Sequence, residues 1–438
     1  MRKLGSWGRY PSYPQTAHAI TWPSEVEHGF AKLRGLGIDS TLGYGCGRSY
    51  GDSCLASSDQ VLAMRSMDRV LSVDWKTGVV TAQAGLTLDD LIRVALPNGW
   101  FLPVTPGTKF VTLGGAVAND VHGKNHHVMG TFGRHVRRIV LYRSDTGICT
   151  CSPTENVEMF NATVGGLGLT GIIVAVELKL RPVSSSEMEQ TCIKFGDLNE
   201  FFAISAQLDS SYEYTVSWVD CLAGGKNIGR GHYIGGNHAA TGELSVARGR
   251  AKRMPVDPPF SLVNKLTLKL FNSLYYQRQL RKRVERRVGY DPFFYPLDGL
   301  LHWNRMYGKA GFQQYQCVIP SELGRDTVAA ILRETGRNGA GSFLAVLKQC
   351  ADIPSPGLLS FPREGVSLAL DFAQKDALNS RLFARLDALV HEAGGRLYPA
   401  KDAHMSAHHF RQAYPSWAQL EALRDPFLIS RFWRRVTS

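Results

Sequence analysis

Apolar and polar positions alternate in short runs over the first 180 residues, and these runs predict strands separated by helices. The segments 62–66 (LAMRS), 78–85 (GVVTAQAG) and 172–180 (IIVAVELKL) are typical of strands. The segment 88–97 has the pattern of a helix, with Thr87 as its N-cap. Pro182 and the serines after it suggest a boundary. We therefore expect a first domain over residues 1–184.

The pattern changes after this boundary. β-rich segments at 212–220, 312–320 and 365–373 alternate with amphipathic helices near 321–337 and 376–394. This order is typical of an antiparallel sheet with helices on one face. The chain of 438 residues is long enough for two domains. We therefore predict an α+β protein with a second domain over residues 185–395.

Three glycine-rich segments interrupt the hydrophobic pattern of the first domain. They are GYGCGRSYGD (43–52), PGTKFVTLGGAVANDVHGKNHH (106–127) and GGLGLTGII (165–173). Glycines let backbone N–H groups line a concavity that suits a pyrophosphate, and let a flat ring approach the main chain. The sequence therefore predicts a two-loop cradle for a flavin dinucleotide.

Other nucleotide-binding loops do not fit these segments. A Rossmann loop needs G-x-G-x-x-G between a strand and a helix, and the context of 43–52 does not match. A Walker A loop needs GK followed by Ser or Thr, which the glycine segments lack. Glycines that serve only as turns remain the alternative interpretation.

Charge is concentrated in one segment. Of a net charge of +12, residues 248–287 contribute +10, from twelve Lys or Arg and two acids. Within this basic segment Val263, Leu266, Leu270 and Leu274 recur at helical spacing. A basic amphipathic segment favours contact with a membrane surface or a polyanion. We expect a mobile flap that binds the membrane surface. A solvated helix or loop with ordinary charge is the alternative.

Several classes of protein are excluded or disfavoured. No DNA- or RNA-binding motif accompanies the basic charge, so we expect no nucleic-acid partner. The eight cysteines form no C-x-x-C pair, so we expect reduced thiols and no metal site. No apolar run reaches the ~18 residues of a membrane span, and no secretory signal is visible. We expect a peripheral, membrane-associated protein on the cytoplasmic side, with the periplasmic side left open.

Six segments resemble a known family across almost the whole chain: SWGRYP, GRSYGD, VHGKNHH, WNRMYGKAGFQQYQCVIP, SFLAVLK and GGRLYPAKD. The family is the vanillyl-alcohol-oxidase, or PCMH-type, group of FAD-dependent oxidoreductases, and within it the decaprenylphosphoryl-β-D-ribose 2-oxidases. The resemblance implies that residues 396–438 return to the first domain. It also implies FAD, held by Gly43, Tyr44, Gly45, Cys46, Gly47, Arg48, Ser49, Tyr50, Gly51, Asp52, Gly107, Thr112, Leu113, Gly114, Gly115, Asn119, Asp120, Val121, His122, Ile173 and Tyr398.

The resemblance also bears on how FAD is attached. Covalent members of this superfamily carry a histidine where Arg48 stands. Arginine does not form that linkage, but its guanidinium group neutralises phosphate. We therefore expect non-covalent FAD.

The resemblance assigns roles to residues on the substrate side. Lys401 is implied as the positioning cation or base, His122 as a second group for proton handling, and Tyr50 as a wall above the ring. Alternating positions put Gln314 and Gln316 on one face of a strand, where they would meet sugar hydroxyls. A solvent-facing pair of glutamines is the alternative.

The remaining substrate residues follow from the same blocks. Lys348 would meet the substrate phosphate, and Tyr295 would line the opening. The family's typical enzymes carry asparagine where Ser367 stands and cysteine where Ala369 stands, both facing the substrate. These two departures put the substrate in question.

The resemblance implies oxidation of the 2-hydroxyl of a polyprenylphosphoryl-ribose to the 2-keto sugar. A separate NAD(P)H-dependent reductase would then complete epimerisation to the arabinose form. A soluble alditol or sugar-lactone oxidase that uses oxygen is the rival enzyme. A binding protein that retains FAD as a structural group or sensor is the rival from another class.

Overall fold

The computed structural model describes residues 4–247, 251–339 and 341–438. The first three residues of the basic segment lie outside this range. The first part of the chain forms, in order, β1 Thr16–Ala19, α1 Glu25–Gly35, β2 Gly43–Tyr44, β3 Gln60–Ala63, β4 Val70–Asp74, β5 Val79–Gln83, α2 Leu88–Ala95, β6 Trp100–Phe101, α3 Leu113–Ala118, α4 His126–Met129, β7 Val136–Arg143, β8 Gly147–Cys151, α5 Val157–Thr163, β9 Ile172–Lys179 and β10 Arg181–Pro182.

Two sheets organise these elements. A parallel three-stranded sheet has the order β1-β3-β2, and an antiparallel five-stranded sheet has the order β4-β5-β9-β7-β8. Helix α2 begins where predicted, because the Thr87 hydroxyl accepts from the Asp90 N–H and the Asp90 side chain completes a capping box. The predicted strands and helix of this part are confirmed, except that residues 64–66 form a 3₁₀ turn after β3.

The second part forms one large sheet. Its elements are β11 Glu187–Phe195, α6 Leu198–Leu208, β12 Tyr214–Val219, β13 Gly231–His238, β14 Lys252–Arg253, α7 Lys265–Gln277, β15 Arg283–Gly289, α8 Tyr290–Phe294, β16 Leu300–Leu301, β17 Phe312–Ile319, α9 Ser321–Asn338, β18 Val346–Cys350, β19 Gly365–Ala373, α10 Asp376–Glu392 and β20 Arg396–Leu397. The sheet order is β15-β11-β13-β12-β18-β19-β17-β20, antiparallel throughout. The α+β prediction is confirmed.

Three short helices follow β20: α11 Ala407–Ala413, α12 Trp417–Leu423 and α13 Arg431–Thr437. This C-terminal segment lies against the start of the chain. Isolated β-bridges join Thr41 to Leu428 and Ala56 to Ser430. The Arg431 guanidinium forms a salt bridge with Asp59. The segment therefore packs against the glycine loop that follows β2.

The structure corrects part of the flap prediction. Residues 283–289 form edge strand β15, which pairs with β11 along seven residues. Helix α7 buries Leu268 and Asn272, and the Asn272 amide donates to Asp220 at 3.0 Å. The prediction of a mobile flap is therefore wrong for α7 and β15, which pack on or pair with the rest of the second part.

Candidate active site

A cavity of about 440 Å³ lies between the glycine-rich loops and the large sheet. Its walls include the loop after β2, the segment before α3, residues 167–173, the paired strands β17 and β19, and the segment 398–401, together with residues of β12, α7 and β18. Residues that are far apart in sequence therefore meet around one space, of a size typical of ligand sites.

The loop after β2 carries unpaired backbone donors. In the described part of the chain, the N–H groups of residues 46–49 donate no hydrogen bond to the protein. Gly47 has φ +61°, and a Cβ there would lie 1.9 Å from the Tyr44 hydroxyl. Successive free N–H groups in such a loop form an anion site.

Arg48 adds a cation at this loop. Its guanidinium lies 4.0 Å from the ring centre of Trp7, and Arg48 lines the cavity. Burial lowers its pKa, and the Asp298 carboxylate opposes that shift. Charge-assisted bonds from such a guanidinium suit phosphate oxygens.

The two glycine loops touch because they lack side chains at the contact. A Cβ on Gly45 would lie 2.4 Å from the Thr112 hydroxyl, and one on Gly114 would lie 2.9 Å from the Ala84 Cβ. Backbone therefore borders the cavity at Gly45, Gly114 and Gly115. Together with the free N–H groups and Arg48, this cradle fits FAD.

Most predicted cofactor residues line the cavity, and five lie behind its wall. Leu113 is buried in the core of the first part. The Tyr44 hydroxyl donates to the Gly5 carbonyl, and Gly51 packs against Asp402. Asp52 pairs with Arg435 on α13, and Asp120 accepts from two serine hydroxyls and the Gly133 N–H. These five residues support the loops and do not reach the cavity.

Lys401 and Tyr50 lie together in the cavity wall. The Lys401 ammonium is 3.7 Å from the centre of the Tyr50 ring, and the Tyr50 N–H donates to the Ala400 carbonyl at 2.9 Å. Burial lowers the pKa of Lys401 to about 7, although the Asp371 carboxylate opposes that shift. Lys401 is therefore a half-buried cation that loses its proton far more readily than an exposed lysine.

His122 faces the same space from the other side. Its Nε2 lies 3.1 Å from the amide nitrogen of Gln316, and its Nδ1 has no partner among the described residues. An amide nitrogen only donates, so Nε2 accepts and Nδ1 carries the proton. Burial lowers the pKa of His122 well below its usual value. The ring is neutral and presents a donor.

The predicted substrate residues divide into two groups. Gln314, Gln316, Lys348 and Ala369 line the cavity. The Lys348 ammonium donates to the Gly123 carbonyl at 2.7 Å, and burial lowers its pKa. Four of the six therefore share the space with Lys401.

The other two substrate residues do not line the cavity. Tyr295 is 1% exposed and its hydroxyl bonds with Thr105 at 2.7 Å, so it belongs to the core and not to an opening. Ser367 is buried between β17 and β18. Its departure from the family pattern therefore lies outside the cavity wall.

Sequence reasoning missed several cavity residues. Asp371 and Asp298 are the acidic side chains among the described lining residues, and Trp218 and Tyr275 form an apolar wall with ring centres 4.5 Å apart. Trp303 packs in a buried cluster and also lines the cavity. Asp371 alternates with Ala369 on β19, which is the one local signal that would have found it.

Comparisons with known proteins agree with this geometry. The FAD binding domain family matches residues 40–152. Decaprenylphosphoryl-β-D-ribose oxidase of Mycolicibacterium smegmatis is 33% identical over 97% of this chain and 95% of its own length. L-gulonolactone oxidase of Bos taurus is 32% identical over 41% of this chain and 40% of its own. D-lactate dehydrogenase of Anaerostipes hadrus is 30% identical over 29% and 28%.

Proposed function

We propose that this chain, which belongs to the family of FAD-binding oxidases that includes decaprenylphosphoryl-β-D-ribose oxidase, oxidises the 2-hydroxyl of a polyprenylphosphoryl-ribose to the 2-keto sugar. It is an FAD-dependent oxidoreductase that acts on a CH–OH group. A separate NAD(P)H-dependent reductase would consume the keto sugar and complete epimerisation to the arabinose form.

One observation carries the proposal. The cavity is continuous from the anion loop, through a patch that contains Lys401 and Lys348, to the apolar wall of Trp218 and Tyr275. A flavin dinucleotide suits the loop, a sugar phosphate suits the two lysines, and a polyprenyl chain suits the apolar wall. A free alditol would leave that wall without a partner.

Bound FAD supplies an acceptor for the hydride that leaves the alcohol carbon. The residues of the chain hold and polarise the substrate. Gln316 lines the cavity with its amide beside His122, where it would meet sugar oxygens, and Lys401 places positive charge beside Tyr50. Lys348 presents a second cation for the phosphate. Burial strengthens each of these interactions because water competes less.

Anaerobic reduction of the flavin tests this proposal. Bleaching of the flavin spectrum is expected with polyprenylphosphoryl-ribose and not with free alditols or sugar lactones at the same concentration. Reduction by the free sugars alone would support the alternative, a soluble alditol or sugar-lactone oxidase that uses oxygen. The matches to sugar-lactone oxidase favour that alternative less, because they cover under half of the chain.

The FAD is expected to be non-covalent, because Arg48 stands where an attachment histidine would be and its side chain packs on Trp7. Acid precipitation of the purified protein should release yellow FAD into the supernatant. A precipitate that stays yellow after washing would contradict this expectation.

The outer face of α7 supports a membrane-bound substrate. Leu266, Leu270 and Leu274 are 77%, 60% and 63% exposed and lie one turn apart, and Lys265 and Lys269 each directly precede one of these leucines. No helix in the described part of the chain is long and apolar enough to cross a bilayer. We propose that this stripe, the α7 stripe, lies in the interface of an anionic membrane. Tyr275 on the same helix lines the cavity, so docking would bring the cavity to the lipid.

Replacing all three leucines of the α7 stripe with aspartate should abolish binding to anionic vesicles, because it removes apolar burial and opposes the surface charge. Sedimentation with phosphatidylserine vesicles measures this. Leu323→Asp on α9, where the leucine is 49% exposed, is the matched control and should bind like the unmodified protein. FAD content should be unchanged in both variants.

The basic residues should act through charge, at about 1 kcal/mol each near the surface. Binding to anionic vesicles should therefore weaken as salt increases. Equal binding to neutral and anionic vesicles at every salt concentration would make the positive charge irrelevant and leave only the apolar contact.

A further inference from the structure

Asp371 is a buried carboxyl group in the cavity wall that the preceding roles leave unused. It lies on β19, is 1% exposed, and pairs in register with Gln314 on β17. The Gln314 amide donates to its Oδ1 at 2.7 Å. Among the described residues, none donates a hydrogen bond to Oδ2. One carboxyl oxygen is therefore fixed, and the other is left for a ligand.

The charges around Asp371 favour a proton that is easily exchanged. Burial raises its pKa to about 7, while the Gln314 bond and the Lys401 ammonium oppose the shift. The hydroxyls of Tyr50 and Tyr307 are the other titratable groups that sense its charge. A carboxylate in this environment accepts a proton near neutral pH, which an exposed aspartate does poorly.

The other candidates in the cavity are already engaged. The acceptor nitrogen of His122 receives the Gln316 amide. Asp298 accepts from the Lys109 N–H and the Thr108 hydroxyl, on the side of the cavity near Arg48. Lys348 donates to a backbone carbonyl. Asp371 is the remaining carboxylate beside Lys401.

We infer that Asp371 accepts the hydroxyl proton of the substrate, with Lys401 as the cation that stabilises negative charge on the oxygen; the inference rests on the proposed function. The C–H bond breaks and its hydrogen leaves with two electrons as hydride to bound FAD. The O–H bond breaks and its proton passes to the Asp371 carboxylate. The electron pair of that bond completes the C=O bond, so two hydrogens and two electrons leave the alcohol.

Asp371→Asn in the holoenzyme tests the assignment, because the amide keeps the size of the side chain but does not accept this proton. Flavin reduction by polyprenylphosphoryl-ribose should slow about 100-fold or more. In the unmodified enzyme the rate should rise with pH on the acid side of about 7, as the Asp371 carboxylate forms, and fall on the alkaline side, as Lys401 loses its proton. That rise should be absent in the variant. Asp352→Asn, at an exposed aspartate, is the control and should change neither quantity.

An infrared measurement gives a result that does not depend on turnover. A carboxylic C=O band of the unmodified holoenzyme should disappear as pH rises through about 7, and the band should be missing in Asp371→Asn. Gln314→Leu removes the donor that stabilises the carboxylate, so the midpoint of the band should move to higher pH. This variant tests the assignment even where Asp371→Asn does not fold.

These experiments distinguish a failure of the proposed function from a failure of the role assigned to Asp371. An unmodified enzyme that the lipid-linked sugar does not reduce contradicts the proposed function. An unmodified enzyme that is reduced, beside an Asp371→Asn variant within about threefold of its rate and with the same pH profile, overturns the role of Asp371 and leaves the proposed function standing. A band that persists in Asp371→Asn, or does not move in Gln314→Leu, also overturns it.

Discussion

Replacing Lys401 with methionine is expected to leave FAD bound and to slow flavin reduction by the substrate about 100-fold or more. The proposed FAD cradle consists of the free N–H groups of residues 46–49 and the Arg48 guanidinium, and the Lys401 side chain is not part of it. The ammonium lies over Tyr50 in the cavity wall, where we propose that it places positive charge beside the reacting oxygen. Methionine keeps the length of the side chain and removes the charge.

Stopped-flow reduction and the FAD-to-protein ratio measure the two halves of this prediction. Lys375→Met, at an exposed lysine before α10, is the matched control and should behave like the unmodified enzyme. Lys401→Arg should recover part of the rate, because arginine keeps a positive charge with different geometry. A Lys401→Met variant that reduces at the normal rate would give the lysine a structural role only.

The same variant should change stability in a direction set by the pKa of Lys401. Burial lowers that pKa to about 7, so between pH 7 and the value of an exposed lysine the unfolded chain binds more protons than the folded one. Stability of the unmodified protein therefore rises with pH across this window. Lys401→Met should gain most in thermal midpoint below pH 7, and the gain should shrink as pH increases.

The spacing of apolar residues correctly predicted the helices, because a helix is determined mainly by residues that are close together in the sequence. Helix α9 spans Ser321–Asn338 and α10 spans Asp376–Glu392, close to the limits taken from apolar spacing. These helices obey the pattern because one face of each packs on the sheet, with Val328, Leu332 and Leu386 buried. The glycine segments likewise predicted the cavity, because a close backbone approach needs glycine at particular positions.

The sequence did not predict which residues lie side by side on neighbouring strands, because that alignment depends on pairing between distant parts of the chain. Gln314 lies beside Asp371 because β17 and β19 pair antiparallel, and no local pattern specifies that alignment. The basic segment was predicted as one flap, but its end adds an edge strand to β11. Five predicted cofactor residues lie behind the cavity wall, because membership in a motif does not distinguish a wall residue from the residue behind it.

Arg435 holds two buried carboxylates, those of Asp52 and Asp402, and its loss should have the largest effect on stability. Its guanidinium donates two hydrogen bonds to Asp52, at 3.0 and 2.8 Å, and one to Asp402 at 2.9 Å. Both carboxylates are at least 95% buried. Asp52 belongs to the loop after β2 and Asp402 follows Lys401, so one side chain of α13 joins that loop to the segment that carries Lys401.

Arg435→Met is therefore expected to destabilise the protein by about 3–5 kcal/mol, because it leaves two buried carboxylates without their cation. Urea and thermal unfolding measure the loss. Arg434→Met, at the exposed neighbour on the same helix, should change stability by no more than about 0.5 kcal/mol. Arg435→Lys should fall between them, because one ammonium does not match both carboxylates.

The pH dependence identifies the cause of that loss. Burial raises the pKa of Asp52 even with Arg435 present, whereas Arg435 and His404 outweigh burial at Asp402 and hold its pKa low. Without the guanidinium both values should rise, so the folded variant binds more protons than the unfolded chain. The deficit relative to the unmodified protein should then shrink as pH falls. A deficit that is the same at every pH would mean that lost packing, and not unpaired charge, causes the instability.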